Sequence, residues 1–198
     1  MTRTLGRVVL GLTVAGALIG GLWGWIAPPI HAVVALTHSG ERVHDYLGSE
    51  SQHFFDAPCL LLGLLSFVAI VAPILVWQWR ESRGPGMVIA LVVGLLTGAA
   101  AAAAVGAGLV RLRYGALNFD TVPLSGGEHK VAYVVEAPPV FFSHALLPLA
   151  ATLIWPAGIA ALVYAVIAAG SARDDLGGRA LADQPTDALP MEPEASVP

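Results

Sequence analysis

All six histidines of the 198-residue chain fall in or beside two segments: His31, His38, His44 and His53 in the first, His129 and His144 in or just after the second. The carboxylates Glu41, Asp45, Glu50, Asp56, Asp120, Glu128 and Glu136 share those segments. Imidazole nitrogen and carboxylate oxygen are ordinary donors for zinc and other divalent cations, and imidazole also titrates near neutral pH. His38, His44, His53, His129 and His144 are therefore the candidate metal-ligating or proton-sensing residues. Their spacing matches no metal motif: there is no His-x-x-x-His, no His-Glu-x-x-His, and Cys59 has no second cysteine to join it. The competing reading is that loops at a membrane interface collect amphipathic side chains.

Other chemistry is scarce. The chain has no Walker glycine loop, no nucleophile elbow and no dinucleotide fingerprint. Ser125, His129 and Asp120 on one glycine-rich stretch read as turn chemistry rather than as a triad. Neither an enzymatic activity nor a cofactor is expected. Cys59 is expected to be a small apolar packing residue.

The elements that position these residues follow from composition. Hydrophobic residues make up 56% of the chain and charged residues 12%, with a mean hydropathy of +0.72, whereas a water-soluble domain carries about 25% charged residues. The net charge of −4 is unevenly placed: from residue 171 onward six acids face Arg173 and Arg179, and the preceding part balances. Neither part has the basic excess of a nucleic-acid binder. The tail, 171–198, is expected to be a disordered acidic cytoplasmic segment.

Crossing a hydrocarbon core about 30 Å thick takes roughly 20 apolar residues, and four stretches free of Asp, Glu, Lys and Arg qualify: 8–26, 58–77, 87–110 and 145–169. The first is longer than the apolar part of a signal peptide and is read as an uncleaved span. Arg3, Arg7, Arg80, Arg83, Arg173 and Arg179 on one side, against Arg42, Arg111, Arg113 and Lys130 in the longer loops on the other, place both termini in the cytoplasm. Arg111 and Arg113, directly at an outer span end, run against that pattern. Trp23, Trp25, Trp77 and Trp79 near span ends read as interfacial aromatic belts.

Apolar side chains gain nothing by leaving lipid for one another, so spans associate through close backbone approach or polar contacts. Small residues every fourth position supply the first: Gly16, Gly20 and Gly24 in one span and Gly94, Gly98, Ala102 and Gly106 in another. These two faces are expected to meet within the chain or to form an oligomer seam. Pro73 and Pro156 are expected to bend their spans. Each half reads as a glycine-rich span, a long loop, a Phe pair followed by Leu (Phe54-Phe55, Phe141-Phe142) and a proline-bearing span. That is a parallel-repeat pattern, although compositional bias also produces such matches.

The fold expected is an all-α membrane protein: a four-helix transmembrane domain over residues 1–170, with loops 29–56 and 111–143 forming a small extracytoplasmic cap. Val43, Tyr46, Leu47 and Phe54 at helical spacing predict a short helix in the first loop. Residues 119–124 and 130–135 around Ser125-Gly126-Gly127 predict a β-hairpin in the second.

The stretch Glu136-Ala-Pro-Pro-Val-Phe-Phe-Ser-His144, the later Ala160-Ala-Leu-Val-Tyr164-Ala, and the loop around Tyr46-Leu-Gly48 and His53-Phe-Phe55 resemble a family of mycobacterial and related actinobacterial membrane proteins of unknown function. The resemblance covers about residues 5–170. It implies a plasma-membrane location and four spans, and brings no catalytic residue with it. The leading expectation is a non-enzymatic accessory or scaffold subunit whose partners are the lipid bilayer and either another membrane protein or a second copy. Two alternatives stand beside it: a small-solute transporter or channel formed by oligomerisation, and an outer-face metal or pH sensor using the histidines.

Overall fold

The computed structural model describes residues 2–80, 83–124 and 131–171. Its order is α1 (Thr2–Ile26), β1 (Ile30–Leu36), β2 (Arg42–Tyr46), a short 3-10 turn (Glu50–Gln52), α2 (His53–Trp77), α3 (Pro85–Tyr114), β3 (Val131–Glu136) and α4 (Leu146–Ala169). All four helices are long and apolar enough to span a membrane, since even 24 residues at about 1.5 Å each reach about 36 Å. Pro85 opens α3 where its missing N–H costs nothing. Gly115, at φ 75°, closes it and donates its N–H to the Arg111 carbonyl at 2.8 Å. α2 continues through Pro73 and α4 through Pro156, both fully buried against neighbouring helices.

α1 and α3 run parallel in a constant register. A Cβ built on Gly16 would lie 2.1 Å from the Gly98 carbonyl oxygen, one on Gly20 2.3 Å from that of Ala102, and one on Gly98 2.7 Å from that of Leu12. Gly94 and Gly106 make room for the side chains of Leu12 and Trp23, and Gly24 lies against Leu109. All seven small residues singled out by their spacing thus lie along one intramolecular seam. The Thr13 and Thr97 hydroxyls meet across it at 2.7 Å, each helix also satisfying its own threonine, through the carbonyls of Val9 and Val93.

α2 and α4 form a second parallel pair. Phe55 packs on Phe142 at 5.4 Å, the Trp155 indole N–H donates to Ser66 Oγ at 3.2 Å, and Trp77 meets Tyr164 edge-on at 5.2 Å. The two pairs join at both ends. Near the sheet, Trp23 is fully buried and its indole N–H donates to the Ala57 carbonyl at 2.7 Å. At the other end the Arg83 guanidinium lies 4.5 Å from the centre of the Trp77 ring, and Tyr164 Oη accepts the Gly84 N–H at 3.0 Å. Trp23 is therefore a core residue and no part of an aromatic belt: Gly106 opens the space its indole occupies, and Ala57 takes its proton.

The loops at one end form a three-stranded antiparallel sheet in the order β2-β1-β3. The first loop is a β-hairpin through Tyr46, followed by the 3-10 turn, and not the expected helix. Val43 and Tyr46 there belong to a strand, and a five-residue connection with Gly40 at φ 85° closes the hairpin. The second loop does supply a strand at Val131–Glu136, but it pairs with β1 rather than with 119–124. β1 is the better template because Ile30, Ala32 and Val34 bury one of its faces. The Ser125-Gly126-Gly127 turn, His129 and the acidic tail from 172 onward lie outside the described residues.

The seam predicts a sharp contrast between glycines. Gly16→Leu or Gly98→Val drives a side chain into backbone and is expected to destabilise the detergent-solubilised protein by about 3 kcal/mol or more, whereas Gly11→Ala and Gly63→Ala, where nothing lies within 4 Å, leave the melting temperature within a few degrees. Thermal denaturation of the four variants checks this.

Candidate functional site

The sheet collects the polar chemistry of the chain, and strand pairing divides it between two faces. Ala32 stands opposite Tyr46 and Val134, Val34 opposite His44 and Ala132, Leu36 opposite Arg42, and Ile30 opposite Glu136. Side chains alternate along a strand, so Arg42, His44, Tyr46 and Glu136 share the face that Ile30, Ala32 and Val34 bury. His31, Val33, Ala35, Val43, Asp45, Val131, Tyr133 and Val135 share the other.

On the first face the segment before the undescribed turn folds over β2. The Arg42 guanidinium donates from Nη1 to the carbonyls of Val122 at 2.9 Å and Phe119 at 3.2 Å. Phe119 stacks on the His44 imidazole, with centroids 4.3 Å apart and planes 10° from parallel. Tyr46 meets Phe54, at the start of α2, edge-on at 5.2 Å. Glu136 Oε2 is buried with no hydrogen-bond partner. Burial pushes the Glu136 carboxyl above its ordinary value, and the His44 imidazole and Tyr46 hydroxyl facing it pull the other way. Burial, then the Glu136 charge, raises the Tyr46 phenol.

A second cluster joins the sheet to α2. Glu50 Oε2 accepts from the His31 backbone N–H and from His31 Nδ1, the latter at 2.6 Å. His53 Nδ1 donates to the Pro29 carbonyl at 2.8 Å. Both imidazoles are thereby fixed through Nδ1, and the ends of β1 and α2 are tied together.

The structure brings His44 to Glu136 and places His53 close to Glu50. His38 lies in the β1–β2 connection and His144 just before α4, each exposed and apart from these clusters. Among the described residues no three of His, Cys, Asp and Glu are grouped so as to hold a metal ion. His31, Glu50, Arg42 and Glu136 organise the cap more directly than their sequence context indicates. Their partnerships join residues 19 or more positions apart through the folding of the sheet, which no local spacing encodes.

Four parallel-paired apolar helices of membrane-spanning length, topped at one end by a small antiparallel sheet, define a membrane-type helical protein with an ordered polar cap. The chain belongs to the DUF2567 family, a family of proteins of unknown function, whose match covers residues 12–178. That agrees with the actinobacterial family its motifs resemble. It is 70% identical over 177 residues to the uncharacterized protein ML1222 of Mycobacterium leprae, covering 89% of each chain. It is 66% identical over 180 residues to the uncharacterized proteins Rv1591 of Mycobacterium tuberculosis and Mb1617 of Mycobacterium bovis, covering 91% of this chain and 93% of each relative. No solved structure matches the chain.

Glu136 and Glu50 give the cap pH-dependent contributions of opposite sign: burial raises the Glu136 carboxyl, and the His31 backbone N–H holds the Glu50 carboxyl below its ordinary value. A carboxyl raised by folding leaves the folded state free of penalty below its unfolded value and penalised above its folded value. The Glu136 contribution should therefore fall as pH rises out of the ordinary carboxylate range, while that of Glu50 grows. Glu136→Gln is expected to remove the falling contribution and to raise stability at pH 7 relative to wild type; melting curves of both proteins between pH 4 and 8 measure this.

Proposed function

We propose that this protein is a non-enzymatic multi-pass protein of the plasma membrane, with both termini cytoplasmic and the sheet outside, serving as an accessory or scaffold subunit of another envelope protein. The carrying observation is the face of the sheet on which, among the described residues, Val43 and Tyr133 are exposed. An antiparallel sheet with one face in water ordinarily turns polar side chains outward. Here Val33, Ala35, Val43, Val131, Tyr133 and Val135 occupy that face beside His31 and Asp45, and Tyr133 is 77% exposed. Apolar area held out on a rigid platform is the usual character of a protein-contact surface.

Two geometric facts favour this reading over its rivals. The small-residue faces of α1 and α3 are occupied by each other within one chain, which removes the seam on which an oligomeric pore would be built. The described histidines are spread over separate partnerships, which weakens the sensor reading. The orientation rests on the arginine distribution, and the fold places the start of α1 and the end of α4 together at the end opposite the sheet: Leu5 approaches Gly86, and Tyr164 bonds Gly84.

Affinity purification at native expression, followed by mass spectrometry, tests the role. A membrane protein should co-purify with wild type and fall at least tenfold with Tyr133→Asp, whose melting temperature should be unchanged. Recovery of the wild-type chain consistently alone overturns the proposal. Orientation is tested by labelling with a membrane-impermeant maleimide in a Cys59→Ala background: Tyr133→Cys should react in intact cells and Ser171→Cys only after permeabilisation.

A further inference from the structure

Arg111 and Arg113 stand at the sheet end of α3, in its last turn. Among the described residues no carboxylate lies within 4.0 Å of either guanidinium, the one such pair being His31 with Glu50. Arg113 Nη1 points at the Trp25 carbonyl at 3.4 Å, and its guanidinium lies 5.2 Å from the centre of the Tyr114 ring. A carbonyl and a ring orient the cation without neutralising it. The helix C-terminus supplies only a fraction of a negative charge.

Just below this cation the surface between α1 and α3 opens into a groove of about 390 Å³, lined by Gly21, Gly24, Trp25, Leu109, Leu112 and Arg113. Gly21 is not part of the helix seam: a Cβ there would meet nothing within 4 Å. Trp25 and Leu112, 80% and 86% exposed, stand as walls. An apolar trough of helix-surface depth with a fixed guanidinium at its interfacial end is complementary to an amphiphile that joins an anion to a hydrocarbon chain.

We propose that this groove binds an anionic glycerophospholipid of the leaflet on the sheet side, its phosphate against Arg113 and one acyl chain along Gly21, Leu109 and Leu112. Guanidinium matches phosphate oxygen in a paired hydrogen-bonding geometry, and interhelical basic pockets recognise lipid headgroups by this means. A net-negative headgroup is specified because a zwitterionic one already carries its own cation. The site rests on the membrane reading above, and its test separates the two.

The full chain, purified in detergent, is titrated with phosphatidylglycerol or phosphatidylcholine and its bound lipids are counted by native mass spectrometry. One phosphatidylglycerol should bind at least tenfold more tightly than phosphatidylcholine. Arg113 is expected to contribute about fivefold, so Arg113→Gln should remove most of the preference, and Arg111→Gln, at a residue outside the groove lining, little of it. Gly21→Leu fills the trough and should remove the tight lipid while leaving the lipid-free melting temperature unchanged. Equal binding of the two lipids, or an unchanged preference in Arg113→Gln, overturns the site. Retention of the lipid by Gly21→Leu overturns it equally, since Arg113 would then act as surface charge alone. Failure of the membrane reading looks different: the chain would be extracted from vesicles at alkaline pH whatever their lipid.

Discussion

Where Gly16 faces Gly98 and Gly20 faces Ala102 there is no room for a methyl group, so backbone rather than side-chain volume sets the distance between α1 and α3. That contact constrains much of what surrounds it. It fixes a register in which residue i of α1 meets residue i+82 of α3, aligning the Thr13 and Thr97 hydroxyls and bringing the Trp23 indole into the space left at Gly106. Trp23 in turn reaches Ala57, which anchors α2. In an apolar solvent, where side-chain burial contributes little to association, such approach and its few polar contacts carry the packing.

The second pair repeats the logic with different chemistry. Between α2 and α4 the contact is made by aromatic rings and an indole-to-hydroxyl hydrogen bond, with Pro73 and Pro156 buried in the packing. Each half of the chain thus contributes one glycine-rich helix to the first pair, one proline-bearing helix to the second, and at least one strand to a common sheet. The sheet couples the halves at one end, and Arg83, Trp77 and Tyr164 couple α2, α4 and the start of α3 at the other.

Legibility from sequence followed the range of the forces involved. The four helices were readable because the length and the absence of charge are local properties of each stretch. The small-residue faces were readable because a four-residue repeat on a helix is a surface. The cap was not: Val43, Tyr46, Leu47 and Phe54 satisfy a helical period, yet β1 offers Val43 and Tyr46 ladder hydrogen bonds and offers Tyr46 an apolar face to pack on. β3 was visible as a strand in Val131–Glu136, but its partner lay beyond any local signal. For the same reason His31 and Glu50, 19 residues apart, and Arg42 and Val122, 80 apart, showed no pairing in advance.

The central position of β1 also bears on how the protein is made. Its pairing with β2 needs only a five-residue connection, whereas Ala35 and Val131 are 96 residues apart in the chain. At a synthesis rate of about 5–20 residues per second, the second edge of β1 waits on the order of 5–20 s while α2 and α3 are produced. During that interval Ile30, Ala32 and Val34 stand beside an unpaired ladder, the condition under which strands join foreign edges. The cap thus closes only after α3 is made, and the order of manufacture puts a premium on α1 and α3 finding each other before β3 arrives.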